Sequence, residues 1–421
     1  YGLSMSMNED GNGYPIYRMN EIHNMLCDLE VSKYAEISPD ILNKFKLNSG
    51  DVLFNRTNSY EWVGRTGIYY AGDESRVFAS YLVRFVTEPQ KVLPEYFATY
   101  LNTKYGIRDI KRRSRQSINQ TNVNPEEVKE IEIPLLNSYI QSLIQKCFHD
   151  AYRVLLHAEE VYKYAQLVLM EYLSIDQNTI SCNNITVKNV KDSFCTSGRL
   201  DAEYYQPKYD QLFETLSTFS TKKLGGSNGI VNIQKSIEPG SDAYCDEGIP
   251  FVRVSDVTKF EITDPEIHLP TNIVSNPEKL YPKKNTILFS KDGSVGIAYK
   301  MEKDATIITS GALLHLTIRN PGEVLPDYLT LVLNSPVVQL QAERDSSGAI
   351  IQHWKPSEIE NVIIPILDID IQKEITQKVQ ESFALRHKSE QLLEYAKQAV
   401  EMAIEQGEGT AMEWLESKVS E

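Results

Sequence analysis

Cysteines and long apolar runs are both scarce in this chain, and each shortage excludes a class of protein. No run of 18 apolar residues occurs, so we expect no transmembrane helix and no membrane partner. The cysteines are odd in number and no two are spaced as CxxC, which argues against a disulfide framework and against a cysteine zinc site. A reducing, cytoplasmic setting fits this pattern best. The five cysteines are Cys27, Cys147, Cys182, Cys195 and Cys245.

Catalytic and cofactor-binding signatures are also missing. The sequence has no NPPY or DPPY run, no Gly-rich cofactor loop after a strand, no Walker A loop and no HExxH motif. The seven histidines are scattered along the chain. We therefore expect this chain to have no catalytic residue, no metal site and no bound cofactor of its own.

Positive charge is in deficit overall but is concentrated in one place. The 43 Lys and Arg residues against 58 Asp and Glu residues leave a formal net charge of -15. That balance argues against a nucleic-acid binder, although binding depends on local patches rather than on the average. One short run holds a single acid, Asp109, among six cations. These are Lys104, Arg108, Lys111, Arg112, Arg113 and Arg115.

The most informative feature is an internal duplication. Six segments recur in the same order, at an offset that drifts only from 235 (14 against 249) to 231 (128 against 359). The alignment pairs Arg18 with Arg253, and Gln120 with Gln352. A period this long is not that of a solenoid, so it indicates two whole domains of similar fold. The matching segments are 14–22 and 249–257, 50–54 and 285–289, 63–70 and 295–300, 93–103 and 325–335, 117–120 and 349–352, and 128–134 and 359–365.

Each copy mixes short apolar runs with short helical segments, which predicts an α+β module with a mainly antiparallel sheet. The segments 128–134 and 359–365 are predicted to be closing strands. Because the chain starts at Tyr1 and module one has no equivalent of 199–219, we expect the natural N-terminus to be absent. The predicted divisions are module one at 1–136, a spacer helix at 137–175, a linker with one short strand at 176–198, module two at 199–366, and a second long helix with a C-terminal tail at 367–421.

Two long helices are predicted, at 139–173 and near 370–405. The first has no Gly or Pro, and from Ile140 to Tyr172 apolar or small residues recur in steps of four and three, the 3.5-residue seam of a coiled coil. The second seam is interrupted, at Lys378, Ser382 and Ser389. We expect the two helices to pair antiparallel. The alternative is that each packs only on its own module.

The chain resembles the specificity subunits of type I restriction-modification systems. The resemblance lies in GDVLFNRTNSYEWVGRTGIY at 50–69 and NTILFSKDGSVGIAY at 285–299, and in the segments 117–134 and 349–365, each followed by a long helix. In that family each target-recognition domain reads one half of a split double-stranded DNA target, and the helices set the distance between the halves. The resemblance implies adenine methyltransferase subunits that dock on the long helices, with restriction or translocase subunits as a further partner and phage defence as the role. S-adenosylmethionine and ATP with Mg are then expected on the partners.

Candidate DNA-binding residues follow a predicted strand in each copy. Guanidinium and amide groups there suit guanine and adenine edges, whereas the alternative is a solvated turn. The basic run would supply phosphate contacts, with a solvated helix face as its alternative. Arg18 and Arg253 are either phosphate contacts or internal ion pairs. The other candidates are Asn55, Arg56, Thr57, Asn58, Ser59, Lys111, Arg112, Arg113, Arg115, Ser117 and Gln120 in module one, and Ser290, Lys291, Asp292, Ser294, Gln352, His353 and Lys355 in module two.

Three other interpretations stay open at this point. The chain could be the recognition region of a longer polypeptide that carries its own methyltransferase or another restriction or defence enzyme. A stand-alone nuclease or hydrolase would have to cut DNA without partners. A coiled-coil scaffold that binds only proteins would show no DNA sequence preference.

Overall fold

The computed structural model describes residues 1–118, 120–175, 185–263, 265–348 and 352–419. The chain forms two compact units. Unit one consists of Tyr1–Ala158 and Ala384–Glu421, and unit two of Glu159–Phe383. Both units are α+β with mainly antiparallel sheets, so the predicted fold class is confirmed. Within the described ranges, no helix combines the length and the apolarity needed to cross a membrane.

Helices and strands are interspersed along the chain, and four short 3₁₀ turns also lie in unit two. The helices are α1 (Pro39–Phe45), α2 (Pro94–Asn102), α3 (Lys104–Arg113), α4 (Pro125–Val128), α5 (Ser138–Tyr172), α6 (Phe194–Ser197), α7 (Pro207–Leu216), α8 (Pro326–Leu333), α9 (Pro336–Asp345), α10 (Pro356–Ile359), α11 (Ile369–Gln406) and α12 (Glu408–Val419). The strands of unit one are β1 (Tyr14–Tyr17), β2 (Ile22–His23), β3 (Leu26–Cys27), β4 (Tyr34–Ala35), β5 (Val52–Asn55), β6 (Thr57–Asn58), β7 (Thr66–Ile68), β8 (Val77–Phe78), β9 (Leu82–Phe85), β10 (Ser114–Gln116) and β11 (Thr121–Val123). Those of unit two are β12 (Thr221–Lys223), β13 (Val231–Lys235), β14 (Ile249–Val252), β15 (His268–Leu269), β16 (Ile287–Ser290), β17 (Asp292–Gly293), β18 (Ala298–Lys300), β19 (Ile308–Thr309), β20 (Leu313–Ile318), β21 (Gln352–His353) and β22 (Ile363–Pro365).

The two units repeat the same strand pairings, as the duplication predicts. In unit one β5 lies between β7 and β9, both antiparallel to it, and in unit two β16 lies in the same way between β18 and β20. The apolar runs VLFN and ILFS form these central strands and are completely buried, because both faces of each strand are covered. A second small sheet also recurs: β1 pairs with β4 and β8, and β14 with β15 and β19.

One predicted strand forms in only one of the two copies. In unit two, 359–365 ends in β22, which pairs with β12. In unit one the matching segment 128–134 is not a strand. The reason is that β12 lies in module two ahead of the first repeated segment, 249–257. The residues of module one include no counterpart of β12. The short strand predicted in the linker is absent from 185–198, and the rest of that linker lies outside the described residues.

The long helices begin and end within one residue or so of the predicted bounds. In unit one the first half of α5 packs on the second half of α11 through a shared apolar cluster. Near one end of this contact the Asn137 backbone N–H donates to Glu408 (3.2 Å), and further along the Ser389 hydroxyl donates to the Ala151 carbonyl (2.8 Å). As α5 advances the partner residue number falls, so the pairing is antiparallel, as expected. Ser389 interrupts the apolar seam without an unsatisfied polar group, because its buried hydroxyl donates a hydrogen bond to the backbone of α5.

In unit two the remaining halves of α5 and α11 contribute to one core. Tyr162 contacts Phe260 edge-to-face at 4.9 Å, and Phe260 contacts Phe383 at 6.0 Å. The predicted seam is wrong at Tyr172, which is 45% exposed, while Leu169 and Leu173 are buried. A straight helix has about 3.6 residues per turn, so positions repeated every 3.5 residues move slowly around its surface. By Tyr172 the repeated position no longer faces the core.

A buried glutamine fixes each long helix to its module. Gln372 is completely buried, and its Oε1 accepts from the Leu325 N–H (3.0 Å) just ahead of α8. Its Nε2 donates to the Leu367 carbonyl (2.9 Å). Gln141 makes the same two bonds in unit one, with Leu93 and Leu136. The duplication therefore includes the joint, defined here as the pair of glutamine hydrogen bonds that attaches each long helix to its module.

Replacement of Gln372 by alanine is expected to destabilise unit two by about 2 kcal/mol, since it leaves a buried N–H and carbonyl without partners. Urea unfolding followed by Trp354 emission, in a W62F/W414F background, reports on unit two alone. Lys373→Ala is the matched control, because Lys373 makes only an exposed pair with Asp370. Equal midpoints for the two variants would show that the joint contributes nothing.

Candidate nucleic-acid interface

Three predicted segments of module one meet in one small sheet, here called polar sheet one (β6, β10 and β11). β10 follows directly from the basic helix α3, and it pairs with β11 in an antiparallel hairpin. β11 pairs in turn with β6, which follows the buried strand β5 after one residue. Segments far apart in sequence thus present their side chains on one surface.

Two of the candidate residues in β5 and β6 are not exposed. Asn55 is completely buried, and its Nδ2 donates to the Met19 carbonyl (2.9 Å). Thr57 is 2% exposed. The expectation of an open loop at 55–59 is therefore corrected. Asn55 still belongs to β5 and Thr57 already belongs to β6. Both side chains point inward on either side of Arg56, because successive side chains of an extended chain alternate in direction.

Ser290 occupies the place of Asn55 in module two and is also internal. It is completely buried; its hydroxyl donates to the Ser294 carbonyl (2.5 Å) and accepts from the Ile297 N–H (2.8 Å). Ser290 thus holds the turn after the central strand, whereas Asn55 bonds to the segment after β1. Neither side chain can reach a base without breaking these contacts.

Arg18 and Arg253 make internal ion pairs, the second of the two alternatives. Arg18 pairs with Glu21 (2.8 Å), whose carboxylate is 5% exposed. Arg253 lies 3.7 Å from Asp256, which also accepts from the Arg253 backbone N–H at 2.8 Å. Each arginine closes the turn after β1 or β14, so the structure does not support a role in phosphate contact.

The cations of the basic run differ in what their side chains bond to. Lys104 pairs with Glu405 of α11, and this hydrogen bond raises the pKa of the Lys104 ammonium. Lys111 donates to backbone carbonyls, including that of Glu61 (2.9 Å), and Arg113 donates to the Glu130 carbonyl (3.1 Å). These three tie α3 to its surroundings. Arg108 and Arg112 on α3 and Arg115 on β10 are exposed and remain the candidates for phosphate contact. Arg112 pairs with Asp109 (3.2 Å) and Arg115 with Glu127 (2.6 Å), both near the surface.

The tip of the hairpin in polar sheet one is exposed. Ser117 and Gln120 close the tip, with the Ser117 N–H donating to the Gln120 carbonyl at 2.9 Å, and both side chains are exposed. Asn58 and Ser59 are half-buried on the adjacent edge. Arg56 lies over the Tyr1 ring at 4.9 Å, and its buried Nε has no hydrogen-bond partner among the described residues.

Module two builds the same surface with different side chains. Polar sheet two consists of β17 and β21, in which Asp292 lies opposite His353 and Gly293 opposite Gln352. Asp292 pairs with Lys291 and accepts from His353 Nδ1 at 2.8 Å. Other candidates on this surface, Ser294, Gln352 and Lys355, are exposed. The tip residues 349–351 of the predicted repeat lie outside the described residues.

The strand register corrects the sequence alignment by one residue. The Val123 N–H donates to the Arg56 carbonyl (2.9 Å), and the Trp354 N–H donates to the Lys291 carbonyl (2.8 Å). Trp354 is thus equivalent to Val123, so Gln352 corresponds to Thr121 and not to Gln120. The sequence reasoning consequently missed Asn122, the counterpart of His353. The offset of 231 between Pro125 and Pro356 was the signal that would have found it.

Among the described residues, no group of three or more His, Cys, Asp or Glu side chains is arranged to hold a metal ion. What the two polar sheets offer is hydrogen-bond donors, acceptors and positive charge on paired strands. That is the chemistry of base edges and phosphates.

Comparisons with known proteins find similarities to type I restriction enzyme specificity subunits. Residues 3–166 match the type I restriction modification DNA specificity domain family. The chain is 30% identical over 151 residues to a putative type I restriction enzyme MjaX specificity subunit of Methanocaldococcus jannaschii, covering 35% of each chain. It is 23% identical over 205 residues to the type I restriction enzyme EcoKI specificity subunit of Escherichia coli, covering 48% of this chain and 41% of that one. The solved HsdS subunit from Thermoanaerobacter tengcongensis aligns over 96% of this chain and 95% of its own, at 15% identity and a TM-score of 0.31.

Module one and the first helix that follows it are therefore similar to the type I DNA specificity domain. The resemblance of the chain to type I restriction-modification specificity subunits, inferred from its sequence, is confirmed. The matches span about two fifths or less of the length of these curated relatives.

Charge neutralisation tests the exposed cations of α3. In the double variant R108Q/R112Q, DNA affinity is expected to fall on every sequence, and the slope of log affinity against log salt to decrease by about 2, since each phosphate contact contributes about 0.9. Titrations of labelled duplex at several salt concentrations measure this slope. Arg113→Gln serves as the comparison, because Arg113 bonds internally and its loss should leave the slope unchanged. An unchanged slope in the double variant would remove both residues from the interface.

Proposed function

We propose that this chain is a sequence-specific DNA-binding subunit that recognises a bipartite, asymmetric target. Each module binds one half of that target through its polar sheet. The observation that carries the proposal is that one backbone framework occurs twice with different exposed side chains in equivalent positions. A repeated framework fits two similar grooves of a duplex, and different side chains select different bases.

The distribution of charge supports DNA binding by module one. Arg115 is an exposed cation on polar sheet one, and Arg108 and Arg112 are exposed on the helix that leads into it, although the whole chain carries a net charge of -15. Cations next to a groove-facing element contact phosphates and fix its register on the duplex. The unpaired Nε of Arg56 is a buried donor without a partner among the described residues, and a base or phosphate acceptor would remove that cost.

In this proposal the chemistry belongs to partner subunits. Relatives are named as specificity subunits of type I restriction enzymes, which supports a chain that recognises DNA on behalf of others. Adenine methyltransferase subunits would dock on the long helices and bring S-adenosylmethionine, and restriction or translocase subunits would bring ATP and Mg. The chain itself is then not a catalyst.

Mapping of methylated adenines in the host genome, with and without this gene, tests the proposal. The expected result is one split motif that loses methylation everywhere when the gene is deleted. Exchange of β17 to β21 for the corresponding region of another module should alter one half of the motif and leave the other half intact. Methylation that does not change on deletion, or clean DNA cutting by the purified chain with metal alone, would contradict the proposal.

A further inference from the structure

A row of three side chains crosses polar sheet one. Residues directly opposite each other in antiparallel strands point to the same face, and Arg115 lies opposite Asn122, which lies opposite Thr57. Arg115 is 75% exposed and Asn122 is half-buried. Thr57 is buried at the inner end of the row. The row therefore offers two reachable side chains and one internal hydroxyl.

Module two has the equivalent row with different chemistry. Ser347 bridges to His353, which lies opposite Asp292. His353 is 60% exposed and Asp292 is 23% exposed. The corrected register matches Asn122 with His353 and Thr57 with Asp292. In both modules the middle side chain is reachable and its inner neighbour bonds to it.

The inner residue of each row orients the middle one. The Thr57 hydroxyl donates to Asn122 Oδ1 at 2.6 Å, which uses one lone pair of that oxygen and leaves the other lone pair and the amide N–H groups available. His353 Nδ1 lies 2.8 Å from Asp292 Oδ1. A carboxylate only accepts, so Nδ1 carries the proton, and Nε2 of the neutral imidazole is then an acceptor.

We propose that Asn122 and His353 are the equivalent specificity-determining residues of the two modules. Asn122 makes the two-point contact with adenine N6 and N7 that suits an amide. His353 Nε2 accepts a single hydrogen bond from an exocyclic amine, adenine N6 or cytosine N4. Module one thus requires adenine at this position, whereas module two accepts either amine-bearing base. The inference rests on the proposed function and names the residues that carry it out.

Selection from a duplex library with both half-sites randomised tests the inference, with the chain in complex with its methyltransferase partner at about pH 8.5, well above the ordinary histidine pKa. Asn122→Ala should lose about 5- to 100-fold of the preference for adenine at one position of one half-site. His353→Ala should lose the preference for amine-bearing bases at one position of the other half-site. Lys283→Gln is the control, because Lys283 is 64% exposed in unit two and lies outside polar sheet two.

Asp292→Asn gives a signature that a merely structural role would not produce. The new amide can donate to Nδ1, so that Nε2 carries the proton and becomes a donor. The preferred base at that position should then change from an amine-bearing base to one with a carbonyl, guanine or thymine. If Asn122→Ala and His353→Ala complexes select the wild-type motif, the inference is overturned while the proposed function stands. A wild-type complex that selects no motif would overturn both.

Discussion

Replacement of Gly64 by alanine is expected to destabilise unit one by about 3 kcal/mol, the sum of an unfavourable backbone conformation and an overpacked contact. Gly64 has φ +91°, and a Cβ built there would lie 2.5 Å from Cγ2 of Ile110. Ile110 is buried on α3, so it has no room to yield. Chemical unfolding followed by Trp62 and Trp414 emission, in a W354F background, measures the loss. DNA recognition by module one should weaken with it, because Ile110 sets α3 against the turn before β7.

Two other glycines give the comparison for this substitution. Gly72→Ala should be nearly neutral, since no atom lies within 4 Å of the position that the alanine Cβ would occupy and its φ is not positive. Gly296→Ala should cost less than Gly64→Ala, because its Cβ would meet the end of the Gln339 side chain at 2.9 Å, which can move. If Gly64→Ala unfolds at the same denaturant concentration as Gly72→Ala, the close approach of α3 is not a constraint.

Unit two is expected to lose about 3 kcal/mol of stability as the pH falls from about 6.5 to about 4. Burial lowers the pKa of His315 from 6.5 to about 4, and the side chain sits on β20 with its Nε2 2.9 Å from the Thr309 hydroxyl. The folded state holds this imidazole neutral. In the unfolded chain it takes up a proton below about 6.5, so acid favours unfolding until the folded pKa is reached, at about 1.4 kcal/mol per pH unit.

The His315→Gln variant isolates this contribution. Glutamine keeps a group that can bond to Thr309 but does not titrate. The stability of unit two in this variant should therefore change less with pH over this range. Subtraction of the two stability curves, both followed by Trp354 emission, cancels the other titrating groups. A difference curve without slope between about pH 4 and 6.5 would mean that His315 is not held neutral in the fold.

The parts of the fold predicted from sequence are those with a strong period or an exact repeat. The seam from Ile140 predicted α5 well, because a 35-residue helix has many turns over which one face must stay apolar. The duplication predicted that β5 and β16 occupy equivalent places, since both are runs that only a doubly covered strand can bury.

The features that the sequence did not predict depend on which strands pair, and local sequence does not specify those partners. Asn55 follows an apolar run and looks like a loop residue, yet it is the buried last residue of β5. The chain then enters polar sheet one as β6, whose partner strand β11 lies more than 60 residues later in the chain. The segment 128–134 has the same pattern as 359–365, but only the second meets a partner strand, β12. Asn122 was missed because a one-residue shift in register is invisible until the strands pair.

The division of α5 and α11 between the units has a consequence for synthesis on the ribosome. Unit two is one continuous stretch, Glu159–Phe383, whereas unit one needs residues from both ends of the chain. The apolar side chains of Ile140, Ile144 and Phe148 stay without Leu392 and Ala396 until the second half of α11 has been translated. Unit one is therefore the first to be started and the last to be completed during synthesis. A premature stop after Phe383 would leave the apolar face of the first half of α5 uncovered, even though every residue of module one had been made.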